Sequence, residues 1–197
     1  MLRSLLDCFW PPLCMHCRER THFAYLCEHC WQESLLLDPT GRCLHCFDEI
    51  AEPIGLCNRC RHKPRLPFPR AALFAKEAPI TCLKDLEEAS LPLSAFAFYQ
   101  HVRLDWKEPD LVAPIPPHRR SIARGFGELA HIASPNLFQV VPWPLYPRRW
   151  KVKEQLLEEE TVLLLIDEGC TPAELKMACR AVAETFVQHV YILSIID

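Results

Sequence analysis

Beyond about residue 70, apolar side chains follow two rhythms: continuous runs, and stretches of helical spacing. PDLVAPIPP reads as a buried strand entering a proline loop, TVLLLID as a parallel strand covered on both faces, and HVYILSII as a final strand. Between them, RSIARGFGELAHIA sets Ile122, Phe126, Leu129 and Ala130 or Ala133 on one helical face. PAELKMACRAVAETF does the same with Leu175, Ala178, Cys179, Val182 and Phe186. LFQVVPWPLY reads as an interrupted strand, because Pro142 and Pro144 cannot sit in a regular central one. Strand, helix, strand in this order predicts a right-handed crossover unit of a parallel sheet. Ligands of such sheets bind beyond the carboxyl ends of the strands, which is where Asp167 and Glu168 fall.

The first 62 residues have little strand or helix periodicity, and RHKPRLPFPRAALF after them is proline-rich and basic. The expected organisation is therefore a module over 1–62, a linker over 63–70 and an α/β domain over 71–197. Half of the 197 residues are hydrophobic, enough for a sizeable core and against global disorder. A formal net charge of −3 excludes a global polycation, so contact with nucleic acid has to come from local basic patches. The first ten residues, MLRSLLDCFW, read as too short, too acidic and too poor in small residues for a secretory leader. No segment has the length of a membrane span, so the expectation is a cytoplasmic chain without membrane insertion.

Twelve cysteines change the picture. Eight form four C-x2-C pairs: Cys14 with Cys17, Cys27 with Cys30, Cys43 with Cys46, and Cys57 with Cys60. A C-x2-C turn presents two sulfurs on one side of an ion, and two such turns can close a tetrahedron around zinc. Two structural zinc ions are expected, with neighbouring pairs combining in preference to an interleaved cross-brace. Closed four-thiolate sites contribute folding stability and have no open position for hydrolytic chemistry. The competing reading, redox dithiols, fits poorly with four pairs in tandem, since a redox C-x2-C opens a helix of a packed α/β domain. His16, His29 and His45 lie in these turns and are surplus to a four-thiolate set. Of the other cysteines, Cys179 falls on an apolar helix face, and Cys170 has nothing adjacent that would make it a nucleophile.

Three features stand in order: the cysteine module behind FWPPLCMHC, then DLVAPIPPHRRSIARGFGELA, then VLLLIDEGCTPAELKMACRAV. This arrangement resembles the ComF family of competence proteins, which join a zinc-ribbon module to a phosphoribosyltransferase-like domain. The family's Pro-Val-Pro loop is matched by Pro114, Ile115 and Pro116, its basic positions by Arg119 and Arg120, and its Arg-Gly-Phe by Arg124, Gly125 and Phe126. Its paired acids correspond to Asp167 and Glu168, and Thr171 stands for one threonine of the loop that follows. The resemblance implies an α/β, parallel-sheet, type I phosphoribosyltransferase-like fold. It also implies a role with incoming single-stranded DNA during natural transformation, beside competence helicase or recombination proteins. A retained phosphoribosyl pyrophosphate site would comprise Asp167, Glu168, Gly169, Cys170, Thr171, Pro114, Pro116, Arg119, Arg120 and Arg124, with magnesium only if that ligand binds.

The departures bear on activity. Gly127-Glu128 replaces Asn-Gln, the stretch between Ala133 and Val162 is short, and Gln155 is the one trace of a further motif. The loop after the acids carries Pro172 where a glycine-rich turn is expected. Thr171, Pro172, Ala173 and Glu174 instead spell a capping box, with Pro172 at N1. That box consumes the N–H groups a phosphate would use and brings a carboxylate to its place. Weak or absent transferase activity is the expectation; an active magnesium-dependent transferase and a zinc-module scaffold for protein partners are the alternatives. For nucleic acid, PPHRRSIAR and YPRRWKVK mix cations with rings, which makes Arg119, Arg120, Arg148, Arg149, Trp150 and Lys151 candidates. RCRHKPRLPFPR, Arg59 to Arg70, adds a third basic run.

Overall fold

A computed structural model describes residues 12–21, 25–83, 89–117, 121–141, 149–153, 156–166 and 170–197. Its elements in chain order begin with α1 (Glu28–Glu33), β1 (Arg42–Cys43), β2 (Ile54–Gly55), α2 (Asn58–His62) and β3 (Arg70–Phe74). A 3-10 turn (Pro79–Leu83) leads to α3 (Ser90–Arg103), β4 (Leu111–Ile115), α4 (Ser121–Ala130) and β5 (Phe138–Val141). The chain closes with β6 (Arg149–Val152), β7 (Thr161–Ile166), α5 (Pro172–Ala183) and β8 (His189–Ile196). Among the described residues no helix is long and apolar enough to cross a membrane.

The principal sheet is four-stranded and parallel, in the order β3-β8-β7-β4. Its central strands are apolar on both faces because both faces are covered. Leu163 and Leu165 of β7, with Leu193 and Ile195 of β8, enter one core with Leu93 and Ala97 of α3 and Ile122 and Phe126 of α4. Val162 and Leu164, one residue out of phase, enter the opposite core with Ala178, Cys179 and Val182 of α5. Asp110 locks the β4–β7 register: its N–H donates to the Thr161 carbonyl at 2.9 Å, and its Oδ2 accepts the Thr161 N–H at 2.7 Å. The Ile115–Pro116 peptide at the end of β4 is cis.

Two sequence expectations need correction. The helix opening at Pro172 ends at Ala183, so Phe186 is outside it and 79 % exposed. Thr185 turns its N–H and hydroxyl back onto the Val182 carbonyl and closes the helix first. Leu129 of α4 is 40 % exposed, and Ala133, beyond that helix, makes an isolated parallel bridge to Leu111. The strand expected in LFQVVPWPLY forms at β5, which pairs antiparallel with β6 in a separate two-stranded sheet.

Among the described residues the cysteine modules form no buried cluster of their own. Cys14, Leu26, Cys27 and Cys30 belong to the same buried cluster as β3, α3 and α4. Trp31 of α1 meets Phe96 of α3, with ring centroids 6.4 Å apart. Gln100 of α3 ties this layer to the sheet, donating from Nε2 to the Leu37 carbonyl at 2.8 Å and the Ala72 carbonyl at 3.3 Å.

Candidate metal centres and the loop after β7

Neighbouring pairs combine. Cys14, Cys17, Cys27 and Cys30 form one cluster and Cys43, Cys46, Cys57 and Cys60 the other, each with its sulfurs within 4.8 Å of one another. Zinc–sulfur bonds of ~2.3 Å in a tetrahedron put sulfurs about 3.8 Å apart. The Cys17–Cys27 and Cys46–Cys57 Sγ separations are each 3.6 Å, so both clusters fit that ion.

The two clusters are built alike. In each, the first pair occupies a tight turn closed by a left-handed residue, Arg18 at φ 66° and Phe47 at φ 65°. Their N–H groups donate to the carbonyls of Cys14 and Cys43 at 3.0 and 2.9 Å. The second pair opens a short helix, with Cys27 and Cys57 as extended N-cap residues and Cys30 and Cys60 in the first turn. Peptide N–H groups face the sulfurs: that of Cys57 meets the Cys43 Sγ at 3.2 Å. Burial raises the Cys14 pKa, but the N–H groups of Cys27, Cys17 and His16 outweigh it and leave the thiol lowered to about 6. The same contest, with burial opposed by the N–H groups of Cys46, Cys57 and His45, brings Cys43 to about 6. Burial leads the opposite shift at Cys30 and Cys46, and raises Cys60 to about 11. One thiolate per cluster is thus stabilised by the backbone, and a bound cation would have to draw the protons off Cys30, Cys46 and Cys60. The histidines stand apart: His16 and His29 are exposed, and the His45 Nε2 lies 2.8 Å from the Leu66 carbonyl.

After β7 the capping box is complete. Thr171 Oγ1 accepts the Glu174 N–H at 3.2 Å, and the Thr171 N–H donates to Glu174 Oε2 at 2.8 Å. The threonine hydroxyl lies 2.9 Å from that same carboxylate oxygen, and Pro172 occupies N1. The Thr171 and Glu174 N–H groups are therefore spent on the chain itself, and Pro172 has none to offer. Burial, followed by the Glu174 charge, pushes the Cys170 thiol up to about 12, so it is protonated and non-nucleophilic at neutral pH. Asp167, Glu168 and Gly169 lie outside the described residues, as do Arg119, Arg120, Arg148 and Gln155. Pro114 and Pro116 are buried at the end of β4. Arg124 is exposed and pairs with Glu128 at 3.0 Å.

Trp150 is a correction. Its ring is 4 % exposed and packs on Phe138 with centroids 5.4 Å apart, so it is a core residue and no stacking platform. It alternates along β6 with exposed Lys151, and the strand turns its apolar side toward α5. Arg149 supplies backbone to β6. Sequence reading also missed a cavity between the second cluster and the start of α5, with Arg65 and Lys176 among its lining residues. Arg65 belongs to the basic run Arg59 to Arg70, but no motif marks Lys176 or links the two, since they come from segments far apart along the chain. No protein-family model, curated protein or solved structure matches the chain.

Proposed function

We propose that the chain is a ComF-like zinc protein that handles incoming single-stranded DNA during natural transformation. It holds two structural zinc ions, on Cys14, Cys17, Cys27 and Cys30 and on Cys43, Cys46, Cys57 and Cys60. Its parallel sheet is a phosphoribosyltransferase-like scaffold whose phosphate loop has lost most of its ligand. One observation carries the last point: the Glu174 carboxylate is folded onto the Thr171 amide. A phosphate at this helix start would displace that carboxylate or lie beside it. Like charges about 4 Å apart cost roughly 4 kcal/mol at an effective dielectric of 20. The family and fold assignments rest on the order of motifs, and the four-stranded parallel sheet followed by a capped helix supports them. With Trp150 buried, the DNA role leans on the basic run Arg59 to Arg70, where Arg59, Arg61 and Arg65 are exposed.

The test is a parallel titration of the zinc-loaded protein with phosphoribosyl pyrophosphate plus magnesium and with a single-stranded oligonucleotide. The oligonucleotide is expected to bind with a steep salt dependence, and a charge swap at Arg59, Arg61 and Arg65 should flatten the slope by about 0.7 for each phosphate no longer neutralised. Phosphoribosyl pyrophosphate is expected to bind weakly or not at all. Stoichiometric, magnesium-dependent binding that Asp167→Ala abolishes would establish the working transferase instead. Salt-insensitive or absent oligonucleotide binding would remove the DNA role.

A further inference from the structure

A cavity of about 480 Å3 separates the second cysteine cluster from the N-terminal turn of α5, a size within the range of small-ligand sites. Its apolar wall includes Leu66 of the linker, Ile166 at the end of β7 and Leu175 of α5. Around this wall, among the described residues, stand four cationic side chains, Arg59, Arg65, Arg70 and Lys176, and one carboxylate, Asp48. Such a concentration of positive charge is notable in a chain of net charge −3.

Two of the four cations are already engaged: Arg59 approaches Asp48 at 3.7 Å and Arg70 pairs with Asp197 at 2.9 Å. Arg65 and Lys176 have no ion pair or hydrogen bond among the described residues. Cys46 and Cys60 also line the cavity, and with zinc bound their cluster would bring negative charge to the module wall. That leaves Arg65 on the linker and Lys176 on α5 as the groups that can meet an incoming anion. An apolar wall with free cations at its rim selects a ligand with an apolar body and one anionic head. A highly polar sugar phosphate would leave Leu66, Ile166 and Leu175 facing hydroxyls, which strip no apolar surface from water.

We propose that this cavity binds a small organic anion, an aromatic or aliphatic body bearing a single carboxylate or phosphate monoester. The anionic head meets Arg65 and Lys176, and the body rests on Leu66, Ile166 and Leu175. The site is distinct in chemistry from a ribose-phosphate site, and its ligand needs neither magnesium nor the free N–H groups that the capping box has consumed.

The experiment is calorimetry on the zinc-loaded full chain with 1-naphthyl phosphate and 1-naphthoate, with 1-naphthol and inorganic phosphate as the two halves. One or both naphthyl anions should bind at one site per chain, and comparison of the two identifies the preferred head. Each half alone should bind at least about tenfold more weakly, since body and head contribute separately. The Arg65→Ala, Lys176→Ala double variant should weaken the anion about tenfold, as for two exposed charge contacts. Arg180→Ala, an exposed cation elsewhere on α5, should leave it unchanged. Both variants alter exposed side chains, and zinc content with circular dichroism verifies their fold. Equal affinity for 1-naphthol, or no effect of the double variant, overturns the proposal. So does displacement of 1-naphthyl phosphate by phosphoribosyl pyrophosphate, which would return the cavity to ribose-phosphate chemistry.

Discussion

His101 shows how a single side chain can couple fold to solution conditions. It is 5 % exposed, with its ring edge-on to Trp106 and Phe126, and its Nε2 has no hydrogen-bond partner among the described residues. Burial lowers its pKa from 6.5, although the Lys107 carbonyl opposes the shift. The folded state thus favours the neutral ring, and its stabilising contribution is complete above the unfolded pKa of 6.5. It is lost as pH falls from there through the depressed folded value. Thermal melts at matched zinc content should therefore show a shallower acid decline for His101→Phe than for the parent. Thr171 makes a second residue-scale case: Thr171→Ala should cost about 0.5–2 kcal/mol in chemical denaturation by removing the N-cap acceptor. Glu174→Gln should cost less, and it should raise any affinity for phosphoribosyl pyrophosphate by removing the competing charge. This capping box was legible in the sequence because every partner lies within four residues. The burial of Trp150 was not, because a tryptophan beside arginines reads the same in a solvated loop and on the inward side of a strand.

At the scale of elements, continuous apolar runs marked β4, β7 and β8, whose positions face two cores and leave no polar phase. The longest described helix, α3, escaped. Its sequence SLPLSAFAFYQHVR is apolar nearly all round, and Leu91, Tyr99 and Val102 are exposed on the side away from the core. Periodicity cannot find a helix that has no polar face. The packing of α4 against α3 and against its own following turn depends on small residues that no period records. A Cβ built on Gly125 would lie 2.4 Å from the Ser94 Oγ, and one on Gly127 would lie 2.8 Å from the Ile132 carbonyl oxygen. The two clashes differ in kind. Ser94 sits within hydrogen-bond distance of the Ser90 and Ile122 carbonyls, at 2.6 and 2.9 Å, and gives way only by leaving those partners. The Ile132 carbonyl is backbone held to nearby chain, its own N–H donating to Gly127 at 2.9 Å. Gly125→Ala and Gly127→Ala should each destabilise by about 1–3 kcal/mol, measured as a shift in denaturant midpoint without a change in slope. Phe126 between them is fully buried, and Phe126→Ala should cost about 3–5 kcal/mol.

Across the whole molecule, the cysteine spacing announced the two clusters, but it did not announce that they differ in depth. Cys14, Cys27 and Cys30 are part of the core that α3, α4 and the sheet share, whereas the second cluster contributes Phe47 to it and otherwise borders the cavity. Structural zinc contributes about 10–16 kcal/mol of apparent binding energy to small zinc domains, comparable to the whole stability of a folded domain. Replacing Cys30 by serine should therefore abolish the cooperative melt of the entire chain. Replacing Cys60 should release one zinc, measured by a chromogenic chelator, and leave the far-ultraviolet circular dichroism of the sheet and helices largely in place. Long-range placement explains why this asymmetry was hidden: the residues that receive the first cluster lie on α3 and α4, and their contact with it is set by the tertiary fold. The shared core has a consequence for the protein as it is made. On the proposal that zinc fills the first cluster, a newly synthesised chain would complete its interior only once an ion arrives, because binding to the folded form alone shifts the equilibrium toward it. The unfinished chain would then be exposed to proteases when the metal is scarce, and the amount of this protein in a cell would follow that cell's zinc supply.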